Sequence, residues 1–317
     1  MQTLRYIGWR LAALLGVLVV SSFLVFGSMY LAPGSPEQFL VGNRSVSPEV
    51  LASIRAQYGL DDPFLVRYWH WLTGVLQGDL GRSIISRQDV ATLIGDRLPT
   101  TLALTAFAAV LIIVCGVGLG ILAGLKPNGA LGNLVLLGSN LGFAVPTFFA
   151  AMLLLTVFNV WLGWFPSFGS GQGFAGRLWH LTLPALALSL PSIAVVARIT
   201  RTSILEEAES EHVMMAIARG VKRRVVLQRH VVRNSLLPIT TIVGVHLAGL
   251  IAGGFVVEHA FTLDGIGNLL VSYVQQQDFA VVQAVALVLV AIFGIVNLVI
   301  DLLYVAIDPR VATGKEH

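Results

Sequence analysis

The chain has 317 residues, of which 56% are hydrophobic and 12% are charged, with a formal net charge of +3. An ordinary soluble domain carries about 25% charged residues, so this composition excludes a large soluble core and indicates a membrane protein. The single cysteine, Cys115, excludes a disulfide framework and a thiolate metal site, and the seven histidines show no metal-binding spacing.

Apolar runs of about 20 residues predict six transmembrane helices, because each such run can cross a hydrocarbon core of about 30 Å. The predicted spans are residues 8–31, 98–125, 131–159, 181–200, 235–257 and 280–306. The apolar stretch of the first, Leu11 to Leu31, is longer than the core of a signal peptide and predicts an uncleaved span. The fourth has the weakest signal, and its Pro184 and Pro191 predict kinks.

The distribution of basic residues predicts the orientation of these spans. With the N-terminus inside, thirteen of the twenty Lys and Arg residues lie in cytoplasmic segments, and Arg177 is the one that falls in a short external loop. Short loops rich in Lys and Arg stay in the cytoplasm, so both termini are predicted to be cytoplasmic. The layout has a tail with the first span (1–31), an extracytoplasmic segment (32–97), a five-helix core (98–310) with a cytoplasmic loop (201–234), and a C-terminal tail (311–317).

The extracytoplasmic segment 32–97 contains helical periodicity in SPEVLASIRAQYGL and a helix start at DDP. Tyr68, Trp69 and Trp71 follow in FLVRYWHWLTGVLQ. A belt of aromatic residues at the membrane interface explains this trio better than a ligand cage does.

The second predicted span contains GVGLGILAG, which faintly resembles a dinucleotide fingerprint but has no preceding strand. Gly116, Gly120 and Gly124 recur every four residues, a spacing that lets membrane helices approach closely. Helix packing is therefore the predicted role. No GxxxxGK[ST] sequence occurs, so the chain is not expected to bind ATP through a P-loop or to be an enzyme.

Asp301 is the acid that lies well inside a predicted span, and Asn297 lies four residues earlier on the same helical face. A buried hydrogen bond to a neighbouring helix is a better explanation for Asp301 than ion coupling. The scarcity of intramembrane charge argues against a secondary transporter driven by protons or sodium ions, which needs such groups near the midplane.

The cytoplasmic loop, RTSILEEAESEHVMMAIARGVKRRVVLQRHVVRN, is acidic at first and basic at its end. Gly220 predicts the end of a short helix over 211–218. Val213, Met214, Ala216 and Ile217 are predicted to form an apolar surface on it that suits the groove of a partner protein. The alternative is an electrostatic patch for nucleic acid or lipid. Six basic residues against four acidic ones over 203–234 give that patch a modest charge.

This loop resembles the EAA loop of bacterial binding-protein-dependent ABC importer permeases, in their dipeptide, oligopeptide and nickel class. The matching residues are RTSILE (201–206), Ala216, Ala218, Arg219, Gly220 and RNSLLP (233–238). Similar motifs occur in the same order along the whole chain: GLDDP (59–63), GDLGRS (78–83), RLPTTLAL (97–104), LPALALSLP (183–191), EHAFTLDGIG (258–267) and NLVIDLLYVAIDPRV (297–311).

The resemblance implies an all-α, type I ABC importer permease in the bacterial inner membrane. It implies a second homologous permease that shares the translocation pathway, two ATPase subunits or one two-domain ATPase, an extracytoplasmic solute-binding protein and membrane lipid, with no nucleic acid. ATP and Mg would be bound by the ATPases, which leaves no cofactor in this chain. Peptides are the expected cargo, with nickel chelates, glutathione and oligosaccharides as alternatives.

The resemblance also implies a coupling helix that sits in an ATPase groove. Segments 32–97 and 258–279 are the sizeable external polar surfaces, so they are predicted to receive the binding protein. The coupling residues are Glu211, Val213, Met214, Met215, Ala216, Ile217, Ala218, Arg219, Gly220 and Val221. The binding-protein candidates are Asp79, Arg82, Glu258 and Asp264, and the intramembrane polar residues are Asn297 and Asp301. Met214 and Met215 stand where the broader motif has Glu-Ala, so the polar contact of that Glu is missing here.

Overall fold

The computed structural model describes residues 2–31, 49, 62–166 and 168–307. Ten helices account for most of these ranges. They are α1 (Gln2–Leu31), α2 (Phe64–Leu76), α3 (Val90–Leu125), α4 (Ala130–Ala144), α5 (Thr147–Trp161), α6 (Gly173–Ala208), α7 (Glu211–Ala218), α8 (Arg223–Ala260), α9 (Ile266–Gln275) and α10 (Phe279–Ile307). Short π-helical stretches occur in α3, α5 and α8, at Ile112–Val117, Leu155–Trp161 and Val226–Val232.

Five helices, α1, α3, α6, α8 and α10, are long and apolar enough to cross a membrane, and α4 with α5 would make a sixth span. That pair is bent by 106°, so the span predicted over 131–159 is broken into two helices. Pro146 explains the break, because proline lacks the N–H that a helix needs and disfavours helical backbone at the preceding residue. Val145 is accordingly extended, with φ −84° and ψ 116°.

Helix α6 lies at the centre of the protein and packs against α3, α4, α5 and α8. It has 36 residues and runs as one α-helix through Pro184 and Pro191, well beyond the predicted span 181–200. Arg177, predicted in an external loop, lies within this helix. Helix α6 has the lowest hydropathy of the five long apolar helices, and more than half of its most apolar stretch is buried inside the protein.

The three glycines spaced by four residues on α3 bring it directly against α6. A Cβ atom at Gly120 would lie 2.5 Å from the Cβ of Thr200 and 2.7 Å from the carbonyl oxygen of Ala197. An added Cβ atom would lie 2.7 Å from the Cβ of Ile204 at Gly124 and 3.0 Å from a methyl carbon of Val196 at Gly116. The structure confirms the predicted packing role, since such distances allow no side chain on this face of α3.

Helix α1 is attached to the rest of the protein by contacts along its length. At one end the guanidinium of Arg10 lies 2.9 Å from the carboxylate of Asp301 on α10, which confirms the predicted bond to a neighbouring helix. Asn297 instead donates to the carbonyl of Phe293 on its own helix. Toward the other end of α1, the hydroxyl groups of Ser22 and Tyr68 are 2.8 Å apart.

Helix α2 begins at Phe64, directly after the DDP sequence, as predicted. Its aromatic residues divide between two environments: Tyr68 and Trp71 pack against Phe26 of α1, whereas Trp69 is 62% exposed. The trio therefore forms no common cage. The helix predicted in SPEVLASIRAQYGL and the tail 311–317 lie outside the described residues.

The glycine contact predicts a position-specific loss of stability. Gly120→Ala should lower the thermal unfolding midpoint in detergent, because the new methyl group forces α3 and α6 apart at a cost of about 1–3 kcal/mol. Gly118→Ala is the matched control, since a Cβ there would meet nothing within 4 Å. Equal midpoints for the two variants would contradict the packing described here.

Candidate functional site

Helix α7 is a separate short helix between the long helices α6 and α8, with the bounds predicted from the sequence. It ends in a Schellman motif around Gly220, whose φ of +75° lies in the left-handed region that glycine adopts most easily. The amide of Val221 donates to the carbonyl of Ala216 at 3.2 Å, and the amide of Gly220 donates to that of Ile217 at 2.9 Å. These two bonds satisfy carbonyls that the helix end would otherwise leave open.

One face of α7 is buried against the long helices. Val213 and Ala216 are three residues apart and share this face, where they are 2% and 8% exposed. They pack in an apolar cluster with Ile204 of α6 and with Val226 and Val231 of α8. The prediction that Val213 and Ala216 belong to a partner-facing surface is therefore wrong. They attach α7 to the rest of the chain.

The opposite face of α7 is exposed and apolar at its centre. Met214, Met215 and Ile217 are each between 56% and 59% exposed. The other predicted residues of this segment that the structure leaves exposed are Glu211, Ala218, Arg219 and Gly220, while Val221 is half-buried. The exposed face is therefore one continuous surface with large apolar side chains at its centre, next to the charged side chains of Glu211 and Arg219.

A polar contact joins the start of α7 to α6 and α8. The Nε2 atom of His212 on α7 lies 2.8 Å from Oε1 of Glu207 on α6. The side-chain amide of Asn234 on α8 donates to the same oxygen at 3.0 Å. Next to it, Oγ of Ser235 lies 3.1 Å from the carbonyl oxygen of Ser203. Glu207, His212 and Asn234 are together called the α7 anchor.

The sequence does not single out Glu207 and His212, because the acidic start of the loop gives no sign of which partner each side chain meets. A signal for the anchor was present in RNSLLP, where Asn234 and Ser235 are polar residues at the start of an apolar run. Polar side chains in such a position commonly bond to a neighbouring helix.

The four residues predicted to face a binding protein lie in different surroundings. Asp79 and Arg82 are exposed in the 77–89 loop, which joins α2 to α3, and Asp264 is exposed in the turn between α8 and α9. Glu258 is completely buried, so its assignment to an outer surface is wrong. Sequence position placed it near an external turn, but it could not show which way the side chain points.

The carboxylate of Glu258 joins three parts of the chain. The hydroxyl of Thr101 on α3 donates to it at 2.6 Å, and the backbone amides of Gly267 and Asn268 on α9 donate at 2.7 and 3.1 Å. Gly265 lies so close to this carboxylate that a Cβ atom would collide with it. Glu258 therefore holds α9 against α3 and α8.

Asp278, which the sequence analysis did not single out, has an equivalent role for the 77–89 loop. It is 1% exposed and accepts hydrogen bonds from the hydroxyl of Ser83 at 2.7 Å and from the amides of Ile84 and Ile85 at 2.9 and 3.2 Å. Since Asp278 directly precedes α10, it fastens this loop, with the exposed Asp79 and Arg82, to the beginning of that helix.

Across the described residues, no group of three or more His, Cys, Asp or Glu side chains is placed to hold a metal ion. Residues 116–313 match the family described as "Binding-protein-dependent transport system inner membrane component". Residues 3–105 match the N-terminal region of such membrane components. The chain belongs to this family.

The permease is 36% identical over 309 residues to the glutathione transport system permease protein GsiC of Salmonella typhimurium (strain LT2), and equally to GsiC of Escherichia coli (strain K12). Each match covers 97% of this chain and 99% of the relative. It is therefore a multi-pass protein of the inner membrane. Permease subunits of this kind are not enzymes themselves and work with ATPase and binding-protein partners.

Two solved structures of the MetNI methionine ABC transporter, both in inward-facing conformations, share the fold of the permease. Their TM-scores are 0.52 and 0.54 at 16% and 17% sequence identity. Each comparison covers 68% of this chain and 96% of the other. The predicted fold class, an all-α ABC importer permease, is confirmed.

The α7 anchor predicts how firmly this helix is held. Asn234→Ala removes the amide that bonds Glu207, a loss of about 1 kcal/mol. Hydrogen–deuterium exchange of the α7 amides should therefore become about fivefold faster, since opening of the helix is favoured by that amount. Arg233→Gln, at the exposed neighbouring position, is the control and should leave exchange of α7 unchanged. Unchanged exchange in Asn234→Ala would show that Asn234 does not hold the helix.

Proposed function

We propose that α7 is the coupling helix of this permease, and that the importer carries di- or oligopeptide-type solutes, a class that includes glutathione. The coupling role is supported by the exposed apolar face of α7, which Met214, Met215 and Ile217 form. The opposite face of the helix is buried against α6 and α8. Large apolar side chains that are exposed together indicate a protein-binding surface, and Met adapts to an irregular groove.

The attachment of α7 supports a mechanical role for it. Its buried face and its anchor both join α6 to α8, so a partner that pulls α7 also pulls these two helices. Since α6 and α8 pack against each other through the membrane, movement of α7 reaches the centre of the permease. ATP-driven closure of the ATPase partners then switches the spans between inward- and outward-facing states.

The remaining partners follow from the same proposal. Two copies of the permease fold, this chain and a homologous second subunit, enclose the path, and two ATPase subunits or one two-domain ATPase bind ATP and Mg on the side of α7. In this proposal the side of α7 faces the cytoplasm, and both termini of the chain lie on that side. The solute-binding protein docks on the opposite side, where Asp79, Arg82 and Asp264 are exposed.

The cargo proposal rests on the near-complete match to the glutathione permeases. Glutathione is a small peptide with free carboxylates, so it belongs to the same chemical class as the dipeptides and oligopeptides that the sequence motifs indicate. A nickel chelate or an oligosaccharide would require different groups in the binding protein.

The assembled importer, with its own second permease, ATPases and binding protein, tests the proposal in proteoliposomes. We expect ATP-dependent uptake of radiolabelled glutathione or a dipeptide. The double variant Met214→Ser, Ile217→Ser should reduce it by at least about tenfold, since apolar residues at the centre of an interface are the ones whose truncation costs more than about 1 kcal/mol each. Val225→Ser, which truncates a partly exposed apolar residue at the start of α8, is the control.

Three outcomes would contradict separate parts of this proposal. Full uptake by the double variant would remove the coupling role of α7. Uptake by the wild type without ATP would show a different energy source. ATP-driven uptake of another solute, with no uptake of either peptide, would overturn the cargo assignment and leave the coupling role standing.

A further inference from the structure

His246 is an ionisable residue near the middle of α8, opposite Ser192 on α6. Its Nδ1 atom lies 3.0 Å from Oγ of Ser192. His246 follows Asn234 by twelve residues, about 18 Å of helix, and precedes Ala260 by fourteen, about 21 Å. Because Asn234 belongs to the anchor on one side of the membrane and α8 ends at Ala260 on the other, the pair lies close to the midplane.

The two side chains differ in exposure. Ser192 is 8% exposed and therefore buried between the helices, whereas His246 is partly exposed. Ser192 is the hydrogen-bond partner of this ring among the residues that the structure describes. Imidazole has a second polar nitrogen, Nε2, which is left without a protein partner there.

An imidazole nitrogen without a partner is costly in hydrocarbon, and ionisable residues within spans therefore face a bundle interior or a water-filled cavity. An exposed stripe of α8, formed by Thr241, Val245, Gly249 and Ala252, lies directly beside His246 and has the character of such a cavity wall. A Cβ atom at Gly249, three residues after His246, would meet nothing within 4 Å, so there is room beside the ring.

We propose that His246, oriented by Ser192, lines the translocation path at mid-membrane and offers its free ring nitrogen to a carboxylate of the passing solute. When the hydroxyl of Ser192 donates to Nδ1, the neutral ring carries its hydrogen on Nε2, which is then the donor. That His246 lines the path rests on its position along α8, its exposure and its second ring nitrogen, whatever the cargo is. The contact with a carboxylate rests on the peptide cargo proposed above.

Water accessibility tests the path-lining part. In the assembled importer carrying Cys115→Ala, His246→Cys is treated with a membrane-impermeant, anionic methanethiosulfonate reagent. We expect modification at least about tenfold faster than at Leu15→Cys, because a thiol forms the reactive thiolate only where water reaches it. Leu15 is the control because it is 63% exposed on the peripheral helix α1. Equally slow modification at both positions would overturn the assignment.

Uptake kinetics test the carboxylate contact. His246→Leu should raise the KM for glutathione or dipeptide uptake by about tenfold, the effect of losing one hydrogen bond to a charged group. His246→Gln, whose amide can still donate, should restore most of the affinity. An unchanged KM in His246→Leu would contradict the contact, and an equal rise in both variants would indicate a packing role.

These results separate this inference from the proposed function. If the importer carries a solute other than a peptide, ATP-driven peptide uptake by the wild type is already absent, and the accessibility measurement still decides whether His246 lines the path. If wild-type peptide uptake is present and His246→Cys reacts no faster than Leu15→Cys, the inference about His246 fails alone.

Discussion

The close approach of α3 to α6 is the contact on which the remaining structure depends. Three glycines on one face of α3 leave no α3 side chain at these positions, so Val196, Thr200 and Ile204 of α6 lie directly against the backbone of α3. In a membrane the hydrophobic effect does not drive helices together, and such tight packing supplies much of the association energy instead. With α6 fixed in this way, α8 packs along it, and the ends of both helices provide the surface to which α7 attaches.

The two sides of the membrane domain are held by different interactions. On the side opposite α7, the buried carboxylate of Glu258 accepts hydrogen bonds from α3 and from the start of α9, and that of Asp278 accepts three from the distant 77–89 loop. On the side of α7, apolar contacts combine with the exposed polar anchor. A buried carboxylate that loses its partners leaves a costly uncompensated group, whereas an exposed contact can open at small cost. The α7 side is therefore the more easily rearranged of the two.

Features that depend on one helix at a time could be predicted from the sequence. The apolar runs located the spans, Gly220 located the end of α7, and the glycine spacing located a packing face. Features that depend on two helices could not. Periodicity shows that Val213 and Ala216 share a face but not that α6 and α8 cover it, and nothing local indicates that His246 meets Ser192, 54 positions away. Pro146 was visible, but a proline can bend a membrane helix slightly or break it, and the surrounding packing decides between these outcomes.

The contrast between α6 and the broken span α4–α5 has a mechanical consequence. Helix α6 is one continuous helix of 36 residues, about 54 Å long, although Pro184 and Pro191 each remove a backbone hydrogen bond from it, so a push at one end reaches the other mainly as tilt. The span interrupted at Val145 and Pro146 has no continuous ladder of backbone bonds and yields at that joint. A movement of α6 therefore meets a neighbouring span that can bend at this joint.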